Sequence, residues 1–294
     1  MKTGFVIPTF AGTVDVPLAR AAAAVRADAD AVFAVDHLFP PGRPDRPSLE
    51  PFSLLAVVAA AEPRVGVGVL VARAGMRPAG LLAKQASSLH GIAGNGAILG
   101  LGMGDALVRA EHESFGLPFP APAERAALVG STARAVRALR AGRSWPGDAH
   151  VPALPGPLAP PGGPPVWVGG TTDRLVDVAA AAADGWNGWG LDAEAFADRV
   201  SRLRRSAAQA GRDPGDVVPT WGGIVLVGRD RAELDALEAD RAARGVAWDP
   251  WRGTVDDLRR FVTALAAAGA GWFVAMPAGP EDRTELIGRT LRDG

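Results

Sequence analysis

Three stretches of the chain put groups able to do chemistry directly after apolar runs. "AVFAV" is followed by Asp36 and His37, "AILGLG" by Met103, Gly104 and Asp105, and "PVWVGG" ends in Gly169 and Gly170 before Thr171, Thr172 and Asp173. An imidazole takes or gives a proton near neutral pH, and a carboxylate beside it can orient it, so His37 with Asp36 suits general acid–base catalysis. Asp105 is a second titratable group, and two such groups on facing strands would suit proton handling during a hydride or oxygen reaction. A glycine pair before a helix start, flanked by hydroxyls, suits a phosphate, because the first-turn amides have no intrahelical acceptor. Each feature also has a plainer reading: Asp36 capping a loop, Asp105 starting a helix, and the glycines easing ordinary turns.

These groups act together only if the chain gathers them, and periodicity indicates how. Short apolar runs of strand length alternate with stretches of helical period. Strands are expected at 4–7, 31–35, 65–72, 97–102, 165–170, 185–189, 217–228 and 271–276. Helices are expected at about 16–27, at 48–62 with Ser48 as N-cap, at 78–91, 123–141, 171–185 and 193–210, at 231–245 followed by 254–269, and at 281–291. Strands alternating with helices imply a parallel sheet, and eight such units in 294 residues fit a single-domain (β/α)8 TIM barrel. An open doubly wound sheet would carry its glycine-rich turn after the first strand, where this chain reads "FVIPTFAG". Gly100, Gly102 and Gly104 belong instead to the fourth strand, and the third glycine falls one position early for the dinucleotide fingerprint. The Pro- and Gly-rich stretch at about 142–165 reads as an insertion over the barrel mouth. In such a barrel the active site lies at the C-terminal ends of the strands, which puts all three stretches on one face.

Composition narrows the partners. The net charge is −1 and no segment concentrates Lys or Arg, so neither nucleic acid nor an anionic membrane is an expected partner; a small molecule is. Cysteine is absent, which excludes disulfides, thiolate nucleophiles and Cys-ligated metals, and the four histidines show no metal-ligand spacing, so no metal is expected. The longest apolar stretch, 54–61, is too short to cross a bilayer, and the reading is a soluble cytoplasmic protein. Trp189 and Trp221 could wall a pocket, although large aromatics more often fill cores.

The succession "AVFAVDH", "VGVGVLVARAGMRPAGLLAKQASSLHGIAGNGAILGLGMGDA" and "PPVWVGGTTDRLVDVAAAAADGWN" resembles the bacterial luciferase-like superfamily of flavin- and deazaflavin-dependent oxidoreductases. The resemblance implies a (β/α)8 barrel that binds coenzyme F420, or alternatively reduced FMN, with the ring at the C-terminal mouth. It implies that Asp36 and His37 lie beside the ring, and that the third strand bulges, with a non-prolyl cis peptide at Gly68–Val69 against the ring. It further implies that Gly102 and Gly104 face the cofactor, that Gly169, Gly170 and Thr171 receive its phosphate, and that Asp105 stands where one deazaflavin branch has an acidic proton donor. The chain departs from the family in having Gly96 where an arginine is usual, aspartate rather than glutamate at 105, and Pro40 and Pro41 where the sugar-phosphate branch has an aromatic residue. A sugar-phosphate substrate is therefore not inherited.

The function implied is hydride transfer between coenzyme F420 and a small organic substrate, with His37 as acid/base and Asp105 assisting. An FMN-dependent monooxygenase served by a separate flavin reductase is the alternative, and a non-catalytic flavin-binding protein a further one. A homodimer is expected from the family.

Overall fold

The computed structural model describes residues 1–292 apart from 95, 157, 159–161 and 247. The elements run β1 (Lys2–Val6), α1 (Asp15–Arg26), β2 (Ala31–Ala34), α2 (Pro51–Ala61), β3 (Gly66–Arg73), α3 (Ala79–Ile92) and β4 (Ala97–Gly102). The short α4 (Arg109–Ser114) and long α5 (Pro122–Arg140) precede β5 (Val166–Gly169), α6 (Asp173–Ala182), β6 (Gly185–Trp189) and α7 (Ala193–Gln209). Then come β7 (Val218–Gly228), α8 (Arg231–Ala243), β8 (Trp251–Thr254), α9 (Val255–Ala267), β9 (Trp272–Pro277) and α10 (Arg283–Arg292). Neighbouring strands pair in parallel from β1 through β7, and β9 bridges β7 and β1, so eight strands close into a ring. All eight expected strands are present and the fold is a (β/α)8 barrel. β8 was not expected; it lies outside the ring, against the far half of β7.

Alternation along the strands divides the core in two. Outward residues such as Phe5, Val32, Val67, Leu99, Val168 and Phe273 pack under the helices. Inward residues Val6, Ala31, Phe33, Leu70, Ile98, Trp167 and Val274 fill the barrel. Phe33 sits between two glycines: a β-carbon on Gly4 or on Gly68 would fall 2.6 Å from its ring. Gly68 thus seats a core aromatic, and Val69 is fully buried on the outer face.

The third strand does bulge, but further along than expected. Gly68 and Val69 keep regular parallel register with Ile98 and Leu99, and the register slips only between Val69 and Ala72. The non-prolyl cis bond joins Leu70 to Val71, not Gly68 to Val69, because the ladder is still unbroken at the earlier pair. Val71, within the bulge, fills the space left by three glycines of the next two strands. A β-carbon on Gly102, Gly169 or Gly100 would lie 2.5, 2.7 or 3.1 Å from its methyl groups. Gly102→Ala should therefore overpack the barrel and cost about 1–3 kcal/mol, and adding Val71→Ala should return part of that loss. Urea unfolding of the two single variants and the double variant measures the coupling; strictly additive losses would mean the two side chains do not compete.

The described part of the inserted segment packs beside the β3–α3 turn and along α5. Both ends of the segment are anchored at the face opposite the mouth, where α5 finishes and β5 starts, and its described part runs outside the barrel between α3 and α5. Trp145 and Leu154 form an antiparallel bridge, Leu154 packs on Gly80 at the start of α3, and Arg134 and Arg140 of α5 bind Asp148 and the Pro164 carbonyl. Residues 157 and 159–161 of that stretch lie outside the described residues.

Candidate active site

β2 ends below the barrel mouth, and the extended residues after it point alternately inward and outward. His37 emerges at the rim with its side chain 23% exposed. Its Nδ1 lies 2.7 Å from Oε1 of Glu111, which α4 carries in from the loop after β4. Glu111 is 1% exposed, and its other oxygen accepts the Leu38 amide at 2.8 Å and Nη2 of Arg73 at 2.6 Å. A carboxylate only accepts, so His37 keeps a proton on Nδ1 toward Glu111, and Nε2 lies outside that pair. Phe10 packs edge-on against the imidazole at 5.6 Å, and Ser48 donates its hydroxyl to the His37 carbonyl. Ser48 is therefore spent on the site; the N-cap of α2 is Glu50, whose carboxylate accepts the Ser53 amide.

Burial pushes the Glu111 carboxyl up, but the hydrogen bond and charge of His37, the Leu38 amide and Arg73 outweigh it and hold the group below its ordinary value of 4.5. A depressed carboxyl adds stability that is complete above the unfolded value and disappears as pH falls through the folded one. Stability should accordingly decline as pH drops below about 4.5, and Glu111→Gln should flatten that decline. Denaturant midpoints taken from pH 7 down to 3 check this; an unchanged slope in the variant would contradict it.

Asp36 does not touch the imidazole. It is 3% exposed, receives both terminal nitrogens of Arg77 at 2.6 and 3.1 Å, and accepts the Arg73 amide at 3.3 Å. Arg77 also reaches Glu50 at 2.9 Å. Asp36 thus ties the end of β2 to the turn leading into α3, and orientation of His37 falls to Glu111. Sequence reasoning missed Glu111, Arg73 and Arg77. The signal for the arginines was available, since they are the two charged residues in the otherwise apolar 65–83 stretch; Glu111 had none beyond its place in a polar segment after the fourth strand.

Asp105 is exposed and caps a single 3-10 turn, accepting the Leu107 amide at 2.9 Å; the capping reading describes it, and no hydrogen bond joins it to His37. Gly104 has φ +69° and lies over Arg73 and Val108. Gly170 has φ +142°, and a β-carbon there would fall 2.3 Å from Leu175 in the first turn of α6. Thr171 follows at the start of that helix, and Thr172 caps it. Between the His37 rim and this helix start, partly buried Val35, Val71, Trp189 and Met276 form an apolar floor over the filled barrel. Trp221 is no part of it; it stacks on Phe273 at 4.7 Å beneath the helices. Among the described residues no three His, Asp or Glu side chains gather as metal ligands, and no helix is long and apolar enough to cross a membrane.

A family model described as luciferase-like monooxygenase matches residues 1–288 of the chain. The chain belongs to this family. It is 28% identical over 212 residues to a phthiodiolone/phenolphthiodiolone dimycocerosates ketoreductase of Mycobacterium kansasii, covering 69% of this chain and 57% of that one. It spans little more than half the length of the curated relatives it matches. An F420-dependent secondary alcohol dehydrogenase, solved with an F420–acetone adduct, superposes with a TM-score of 0.82 at 13% identity, covering 98% of this chain and 97% of that one. A riboflavin lyase holding a modified FMN superposes at 0.78 and 15% identity, covering 100% and 91%.

The luciferase-like mouth has the donor set a flavin-type group needs. Val35, Val71, Trp189 and Met276 offer apolar surface to a flat ring. The first turn of α6, with Thr171 before it, offers amides and a hydroxyl to a phosphate. Gly102 and Gly169 contribute by admitting Val71 to that surface, not by leaving gaps of their own.

Proposed function

We propose that the chain moves a hydride between coenzyme F420 and a small alcohol or ketone, with His37 as the acid/base. The observation that carries this reading is the Nδ1–Glu111 bond of 2.7 Å, which turns Nε2 of a rim histidine into the proton-exchanging atom above an apolar floor. When bound, the deazaflavin supplies the hydride acceptor or donor. In the oxidative direction His37 Nε2 takes the hydroxyl proton of the alcohol as its carbon gives up hydride; in reverse it returns that proton to the ketone oxygen. The resulting imidazolium keeps its Nδ1 proton against Glu111, whose charge stabilises it. Val71 and its neighbours hold the ring, the start of α6 holds the phosphate, and Asp105 at the rim keeps one carboxylate oxygen with which to assist. A secondary alcohol dehydrogenase among the structural relatives and a ketoreductase among the sequence relatives both act on this functional-group pair by name, and they support the choice of substrate class.

The alternative is an FMN-dependent monooxygenase, which needs a closed mouth to shield an oxygen adduct. Fluorescence titration of the purified chain with coenzyme F420 and FMN side by side tests the choice. F420 should bind the more tightly, whereas binding of FMN alone would reverse it. A homodimer is proposed on the family resemblance alone, and sedimentation of the same preparation tests it.

A further inference from the structure

On the inner face of β6 two polar groups interrupt the apolar floor of the mouth. Asn187 and Trp189 lie two residues apart on this strand, so both point into the barrel. In the closed ring β6 stands across from β2, with β3, β4 and β5 between them on one side and β1, β9 and β7 on the other. Asn187 is 2% exposed, and Thr220, its neighbour on β7, is fully buried. The Thr220 hydroxyl lies 3.0 Å from the Trp186 carbonyl, which only accepts, and 2.9 Å from the Asn187 amide. Its one proton goes to the carbonyl, so Asn187 turns its NH2 group toward Thr220 and its Oδ1 away. Oδ1 accepts no hydrogen bond among the described residues, yet it is not one of the side-chain atoms sealed in the interior without a partner. The small exposed part of Asn187 therefore opens this oxygen to the mouth.

Gly222 permits the arrangement. A β-carbon there would fall 3.0 Å from Oδ1 and 3.1 Å from Nδ2 of Asn187, and 2.7 Å from Cε3 of Trp189, so glycine both uncovers the amide and seats the indole. With its Cε3 edge against Gly222, Trp189 turns its N–H edge away from β7. The indole groups of Trp186 and Trp221 donate to the carbonyls of Gly170 and Leu191 at 2.8 and 2.7 Å. That of the partly buried Trp189 donates to nothing among the described residues, and it too is not sealed in the interior. An open acceptor and an open donor thus stand together beside Val35, Val71 and Met276.

Their complement is a group with an N–H next to a carbonyl. The pyrimidine ring of flavins and of deazaflavins has one, an N3–H flanked by two carbonyls. We propose that Asn187 and Trp189 read this edge of the bound ring, with N3–H donating to Asn187 Oδ1 and a flanking carbonyl accepting from Trp189 Nε1. The ring then meets β6 by its pyrimidine edge while its faces lean on Val71 and the other apolar residues, and the substrate is left the side where His37 stands. The inference rests on the reading that a flavin-type ring occupies the mouth. It does not rest on the choice between F420 and FMN, because both carry the edge.

The test uses the full chain without cofactor and two pairs of probes: 8-hydroxy-5-deazariboflavin with its N3-methyl derivative, and FMN with 3-methyl-FMN. Methylation removes the donor and leaves both carbonyls. On the unaltered chain the methylated member of whichever pair binds should bind about tenfold more weakly, the worth of one hydrogen bond to an acceptor otherwise left unpaired. Asn187→Leu should weaken the unmethylated ring and erase the difference within the pair. Trp189→Phe, which removes the donor to the carbonyl, should weaken both members and keep the difference. Equal affinities within a pair on the unaltered chain, or a difference undiminished in Asn187→Leu, overturn the inference while the redox reading stands. Binding of none of the four probes overturns that reading and this inference with it. The comparison on the unaltered chain holds even if a variant fails to fold.

Discussion

Replacing His37 by Ala should lower turnover by about 10²- to 10⁴-fold, the usual worth of a positioned acid or base, while the affinity for cofactor changes far less. Glutamine at the same position keeps a polar side chain of similar bulk but cannot exchange a proton, so His37→Gln should lose as much turnover as alanine. That pairing separates chemistry from architecture. The imidazole's partners, Glu111, Phe10 and the hydroxyl of Ser48 on its backbone, shape a polar and aromatic seat that glutamine can occupy without titrating. Steady-state rates measured beside cofactor titrations check it. Full activity in the glutamine variant would remove His37 from the proton path.

The second large effect is expected at Glu111. This carboxylate is almost fully buried and neutralises Arg73, which is itself 4% exposed and has Nε and Nη1 without partners among the described residues. Glu111→Gln leaves that guanidinium buried without a counter-charge. Breaking one side of a buried pair costs about 3–5 kcal/mol, much more than the pair's own net worth, because the surviving charge stays desolvated. The variant should therefore unfold at a clearly lower denaturant concentration. Arg73→Met together with Glu111→Gln should recover much of the loss by removing the stranded charge. Urea unfolding gives both numbers, and a single variant as stable as the parent would show that the carboxylate does not carry the pair.

The sequence made the barrel legible because each strand is a short apolar run bounded by turn residues and each helix returns the chain with a strong period. β4 and β6 fall on the expected residues, 97–102 and 185–189. The short β8 escaped because "WRGT" has neither alternation nor length, and only its pairing with the overlong β7 makes it a strand. Within the site, His37 could be picked out because it follows a strand in a chain with few histidines. Its true partner could not, since Glu111 arrives from 74 residues away on a helix of six residues. Adjacency in sequence suggested Asp36, yet consecutive residues of an extended segment face apart, and Asp36 serves Arg77. The glycines show a related limit. Their spacing marks places where something approaches closely, but Gly68 makes way for Phe33, Gly102 and Gly169 for Val71, and Gly170 for Leu175, none of which a linear reading can name. The course of the inserted segment was not legible, because its attachment points lie at the face opposite the mouth while its described part reaches the start of α3.

The most direct test of the central claim is isotopic. The chain, saturated with oxidised coenzyme F420, is mixed with 2-propanol deuterated at its central carbon, and the deazaflavin is then examined for deuterium. The account predicts that the label moves into the deazaflavin with the unaltered chain and that this transfer is suppressed in His37→Gln. Reduction without label, or labelling at an equal rate in the variant, would contradict it.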